Sequence, residues 1–266
     1  MSTDLNFVTR DAIRFHNLTA LRWALEQGAD VNALVTVATT WTPLLCYAID
    51  AAGFPEQRGK FTPKASTEAV EILLAAGADV HIRGPNEGSA LHFTSAYKRS
   101  DVGLRCARLL LKADADVNCV NAFGSTPLHH AIARGNEPVA RLFLDAGANP
   151  STADDDGSTP MDKALQRGSC KMTLMLLRAG AAPKILPYSQ INSRTAHVHD
   201  LTAHIVNMGG FAACVSRHER RCLNVLSRCI GRLPLEVQRQ VLSFWSPAGG
   251  RHWPVPRLSG NASDSY

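Results

Sequence analysis

Gly124-Ser125-Thr126-Pro127-Leu128-His129-His130-Ala131 opens a unit that Leu142-Phe143-Leu144-Asp145-Ala146-Gly147-Ala148-Asn149 closes. Thirty-three residues on, the opening returns as Gly157-Ser158-Thr159-Pro160-Met161, and the close returns as Gly180-Ala181-Ala182. The chemistry of one unit specifies two short helices. Thr126 is placed to cap the first, and Pro127 suits its first position, where a missing N–H has no bond to lose. That helix is expected to end near Arg134, broken by Gly135-Asn136. Val139, Leu142, Phe143 and Ala146 mark the apolar stripe of a second helix, which Gly147 ends in the left-handed conformation. The polar run 149–157 reads as a turn into the next unit. Such a pair cannot bury its own apolar face, so it must be held by its neighbours.

A 33-residue period carrying T-P-L-H-x-A is the signature of the ankyrin repeat, and Thr126 to Ala131 match it at every specified letter. Over about its first two-thirds the chain resembles the ankyrin-repeat family. The expected fold is all-α, an ankyrin-repeat solenoid of about five helix pairs over residues 6–184, followed by a small helical C-terminal module. Residues 185–245 form that module, and the Pro-, Gly- and Ser-rich stretch 246–266 reads as a flexible tail.

The remaining units follow from the same signature. Residues 6–32 close with Gly28-Ala29-Asp30-Val31-Asn32 but lack the opening, as a terminal capping repeat does. The second unit opens at Trp41-Thr42-Pro43-Leu44 and closes at Gly77-Ala78-Asp79-Val80, with a surface insertion around residues 50–66. In the third, Gly88-Ser89-Ala90-Leu91-His92 replaces the Thr-Pro opening, residues 98–102 lengthen the inter-helix turn, and Asp114 stands at the closing Gly. Asp tolerates the left-handed region better than most residues. After Lys184 no sixth signature appears.

Charge is unevenly spread. Net charge is +5, yet residues 1–184 are neutral, and the excess lies in 185–266, with nine Arg and four acids. Without Gly or aromatic interleaving this is a weak nucleic-acid signal, and a solvated or partner-facing helix surface ranks above it. Seven cysteines without paired spacing fit reduced thiols, so cytoplasm or nucleus is expected. No leader-like N-terminus and no run of 18 apolar residues point to a membrane.

No catalytic or metal constellation emerges, and the chain is read as a non-enzyme without a cofactor. Cys214, His218, Cys222 and Cys229 share a helical face, but one rigid helix offers an ion two ligands rather than four. His197, His199 and His204 are weaker still. Asp154-Asp155-Asp156-Gly157 lacks the alternating ligands and terminal Glu of a calcium loop. His92 and His129 belong to the repeat signature.

Function is therefore expected on the repeat surface, where turn tips and first helices meet a target protein. The candidates are Trp41, Arg83, Asn86, Glu87, Asn121, Phe123, Asp154, Asp155 and Asp156. Trp41 and Phe123 are the aromatic anchors of a polar-rimmed hot spot.

Near the C-terminus, Leu233, Pro234, Glu236, Val237, Val241, Leu242 and Phe244 match L-P-x-E-[IV]-x-x-x-[IV]-L-x-[FL], so residues 221–245 resemble the start of an F-box. An F-box-like end after ankyrin repeats is the arrangement of poxvirus-type proteins with a PRANC domain. The resemblance implies docking to the F-box-binding adaptor of a cullin-RING ubiquitin ligase. Leu223, Leu226 and Leu233-Pro234-Leu235 are also similar to a SOCS box, which implies elongins B and C. Ser227 for the usual Cys and Glu236 for the second Pro depart from it. The alternative is a plain scaffold or inhibitor whose C-terminal helices only cap the stack.

Overall fold

In the computed structural model, residues 2–37, 40–53, 63–95, 100–182, 184–185 and 195–207 are described. They lie within the first of two compact units, Met1–Cys214. The helices come in antiparallel couples: α1 (Ser2–Arg14) with α2 (Leu18–Glu26), α3 (Leu44–Gly53) with α4 (Pro63–Ala75), α5 (Ala90–Thr94) with α6 (Ser100–Lys112), α7 (Pro127–Arg134) with α8 (Glu137–Asp145), and α9 (Pro160–Arg167) with α10 (Cys170–Arg178). First helices stack in the order α1, α3, α5, α7, α9, and second helices α2, α4, α6, α8 stack beside them. This is the all-α ankyrin-repeat solenoid that the 33-residue period specifies.

The local chemistry acts as expected in the fourth and fifth repeats. Thr126 and Thr159 cap α7 and α9, each followed by a Pro in the first helical turn, and Gly147 and Gly180 close their repeats at positive φ. Between repeats the core is small aliphatic and aromatic packing: Leu128, Ala131, Ile132, Val139, Ala140 and Phe143 are fully buried. The stripe on α8 differs from the expected one. Ala140 is buried, whereas Leu142 is half-buried and Ala146 is exposed. A helix sandwiched between two neighbours buries two flanks, so its stripe turns toward both couples rather than one.

Three further differences stand out. The first finger is a two-stranded antiparallel hairpin, β1 (Leu34–Val37) and β2 (Thr40–Pro43), inside an otherwise helical fold. Thr42 and Pro43 end β2 and α3 begins at the next residue, so the expected capping position lies within the strand pairing. The insertion is also shorter than expected: residues 50–53 continue α3 and 63–66 belong to α4, leaving 54–62 outside the described residues. The third repeat keeps its cap without Thr or Pro, since the Ser89 N–H and hydroxyl both reach His92 Nδ1 (3.1 and 2.8 Å). Asp114 does take the left-handed backbone, at φ 62°.

Past the fifth repeat, α11 (Ala196–Asn207) packs on α10 with Val198, Leu201 and Ile205 buried. Its His197 ring Nε2 lies 3.0 Å from the Gly168 carbonyl. One helix without the repeat signature is thus seated against α10, because apolar spacing alone suffices to cover the end of a stack.

Candidate functional site

Two of the fingers are held from beneath by a buried imidazole. His129 Nδ1 accepts the Thr126 backbone N–H (3.1 Å), so its Nε2 must carry the proton that goes to the Ser158 carbonyl of the next finger (3.0 Å). His92 repeats the arrangement between Ser89 and the Ser125 carbonyl (2.8 Å). Both rings are therefore neutral in the fold. Burial pushes His92 down to about 4 and lowers His129, which outweighs the carbonyl bond that favours the charged form. In the fifth repeat Asp162 replaces the histidine. It accepts the Thr159 N–H and hydroxyl (both 2.9 Å) and pairs with Lys184 (2.7 Å).

Backbone bonds then lace one finger to the next. The Ala122 N–H donates to the Asn86 carbonyl (2.8 Å), and the Asp155 N–H donates to the Phe123 carbonyl (3.1 Å). Arg83 reaches across as well, its guanidinium donating to the Val120 carbonyl (2.7 Å) and the Glu87 carbonyl (3.2 Å). Asn86 and Glu87 hold positive φ, 53° and 55°, in the turn that carries them outward. The result is a ribbon of fingers stiffened by side chains and main chain together.

On this ribbon the candidate residues divide into two groups. Trp41 is 66% exposed and Phe123 59%, and Asn86, Glu87, Asp155 and Asp156 are exposed too. Arg83 is exposed while latching two carbonyls. Asn121 and Asp154, by contrast, are 7% and 8% exposed and face inward. Asn121 Oδ1 accepts the Phe123 and Ser125 N–H groups (3.0 Å each), and Asp154 accepts the Ser158 N–H (2.8 Å) and pairs with Lys163 (3.0 Å). Burial alone would raise the Asp154 carboxyl, but Lys163 and Ser158 hold it below the usual range. These two build the turns from which the exposed residues project. Leu34 and Val120, both exposed on the same fingers, extend the apolar row and carry no signature that marks them in the sequence.

A cavity of about 60 Å³ lies between the second and third fingers, lined by Arg83, Ser89, Asp116 and Cys119 among others. That is room for a few waters. Cys46, Cys106, Cys119 and Cys170 are free and buried, and burial pushes the Cys46 and Cys106 thiols up to about 12, far from a reactive thiolate. Among the described residues no group of three His, Cys, Asp or Glu comes together as a metal site, and no helix is long and apolar enough to cross a membrane. Cys214, His218, Cys222 and Cys229 lie outside the described residues, as do Leu223, Leu226, Leu233, Pro234, Glu236, Val237, Val241, Leu242 and Phe244.

Residues 100–186 match the family model for ankyrin repeats in three copies. The chain is similar to neurogenic locus notch homolog protein 1 of Danio rerio, 32% identical over 94 residues that make up 35% of this chain and 4% of that protein. It is similar to the nuclear factor NF-kappa-B p105 subunit of Gallus gallus, 41% identical over 71 residues, 26% of this chain and 7% of that protein. The E3 ubiquitin-protein ligase KEG of Arabidopsis thaliana matches at 28% over 115 residues, 43% of this chain and 6% of the relative. The chain thus spans under a tenth of the length of each.

Proposed function

We propose that this chain is a non-catalytic binding module that captures a target protein across its finger tips. Trp41 and Phe123 are the anchors, and Arg83, Asn86, Glu87, Asp155 and Asp156 form the polar rim. One observation carries the reading: two aromatic side chains stand more than half exposed, Phe123 on a finger whose backbone is bonded to both neighbouring fingers and Trp41 on a paired two-stranded hairpin. Exposed aromatics on a rigid frame lose little entropy on binding, which suits them to be hot spots. An interaction screen with the full chain and with Trp41→Ala/Phe123→Ala tests this. Partners captured by the first and lost by the second, with thermal stability unchanged, support it; a partner list indifferent to both substitutions refutes it.

The finer reading makes the module the substrate-recognition subunit of a cullin-RING ubiquitin ligase in the cytoplasm or nucleus, docking an F-box-binding adaptor, or elongins B and C, through residues 221–245. The F-box-like match from Leu233 to Phe244 supports it, and one relative is itself named an E3 ubiquitin-protein ligase. Leu233→Asp with Val237→Asp is expected to abolish recovery of the adaptor while target capture persists. Recovery of neither adaptor by the folded wild-type chain overturns it. The capping alternative draws on α11, whose Val198, Leu201 and Ile205 are buried where it packs on α10.

A further inference from the structure

The first finger has an open side. Among the described residues α1 and α2 pack on α3 and α4 without another helix pair beyond them, and β1 pairs with β2 alone. The Leu44 N–H donates to the Ala33 carbonyl (3.0 Å), in register with the strand pairs Leu34–Pro43, Val35–Thr42, Thr36–Trp41 and Val37–Thr40. Bonded and non-bonded pairs alternate along an antiparallel ladder, so Val35–Thr42 and Val37–Thr40 are the bonded ones. Pro43, which has no N–H to donate, stands at a non-bonded position, as it must. The N–H and C=O groups of Leu34 and Thr36 therefore point away from β2, toward the open side.

Strand edges left open in this way are ordinarily blunted by Lys, by Pro or by a bulge. β1 reads Leu34-Val35-Thr36-Val37 and carries none of these. Exposed apolar side chains also concentrate in this part of the chain, Phe7 and Phe15 with Arg10 and Arg14 stacked over them. Of the exposed large hydrophobic residues, Phe7, Phe15, Trp23, Leu34 and Trp41 all belong to the first helix pair and its finger, leaving Val120, Phe123 and Ile185 for the rest of the described chain.

We propose that a second copy of this chain adds to β1, edge to edge and antiparallel, about a two-fold axis through Val35. The register follows from the unpaired groups. Leu34 and Thr36 are two residues apart, so a two-fold at Val35 sets Leu34 of each copy opposite Thr36 of the other. Each such pair exchanges both of its N–H···O bonds. Leu34, Thr36 and Trp41 share the exposed face of the hairpin, so the same operation lines Trp41 and Thr36 of one copy against Leu34 of the other. A self-complementary contact juxtaposes every charge with its own kind, and this edge bears no charge to repel. A single continuous four-stranded sheet results, with both of its outer edges supplied by β2.

The test uses the wild-type chain first. Sedimentation equilibrium over a range of about 1 to about 100 µM should show a mass that grows with concentration. It should rise from the 28.7 kDa of one chain toward twice that value. Hydrogen exchange over the same range should slow at the Leu34 and Thr36 amides, while the Val35 and Val37 amides, already bonded to β2, change little. Leu34→Lys/Thr36→Lys places lysines on two exposed positions and should give a monomer throughout, with an unaltered thermal midpoint. Thr36→Pro removes one outward N–H, leaves the bonds to β2 in place and should weaken the dimer. A wild-type chain monomeric at the highest concentration overturns the proposal. So does a dimer whose Leu34 and Thr36 amides exchange as in the monomer, which is also how pairing through another surface, or loss of fold in the variants, is told apart. Target capture through Trp41 and Phe123 is read separately in the monomeric lysine variant.

Discussion

At the scale of single residues, the buried imidazoles dictate how stability follows pH. His92 and His129 are neutral in the fold because each Nδ1 must accept a backbone N–H. As pH falls through 6.5 the unfolded chain takes up protons that the folded chain refuses, so stability drops. For His92 the loss continues until pH reaches about 4 and then levels, a total of up to about 3 kcal/mol. Asp154 and Asp162, with lowered folded pKa values, act in a separate window below 3.8. Urea titrations at pH 7.5, 5.5 and 4.5 should show the falling midpoint, and His92→Gln should flatten its slope. A midpoint constant over that range contradicts the assigned tautomers. Asp114 offers a test of opposite sign. It holds φ 62° at a repeat close where Gly28, Gly77, Gly147 and Gly180 stand in the other repeats. Relieving that left-handed strain with Asp114→Gly is expected to raise stability by about 0.5 kcal/mol, read from the urea midpoint.

At the scale of elements, the fingers and the helix starts are one device. Thr126 caps α7 and also feeds the histidine that holds the next finger. Thr126→Ala should therefore cost about 1–2 kcal/mol, the upper end for a cap, measured by chemical denaturation. Gly124 has φ 66°, and a Cβ there would run into Asp155, whose N–H bonds the Phe123 carbonyl. Gly124→Ala is expected to cost more than the ~1–2 kcal/mol of left-handed strain alone and to speed exchange of the Asp155 amide. Slow exchange retained at that amide would show that the lacing is not seated on the glycine.

At the scale of the molecule, stability is a sum over neighbouring repeats, and an end is protected only by what covers it. α11 covers the far end with Val198, Leu201 and Ile205. Leu201→Asp buries a charge without a partner and should lower the cooperative unfolding transition by about 3 kcal/mol or more, spread into the fifth repeat. A transition unchanged by that substitution would mean that α11 contributes nothing to the stack.

Much of this was legible in the chain itself. Thr126-Pro127-Leu128-His129 and its return at Thr159-Pro160-Met161 determined where helices start, where they stop and that they stack, because capping, proline geometry and left-handed glycine act within a few residues. The exposure of Trp41 and Phe123 was legible too, since they fall at turn tips in that period. What tertiary structure decided was everything that depends on a neighbour: which flank of α8 is buried, that Asn121 and Asp154 turn inward to build their fingers, and that a helix without the signature seats itself after the fifth repeat. It also decided that the first finger is a true hairpin with an open edge. Periodicity describes a residue's relation to its own helix, whereas burial and pairing are set by whatever lies one repeat away, and among the described residues no other strand pairs with β1 beyond β2.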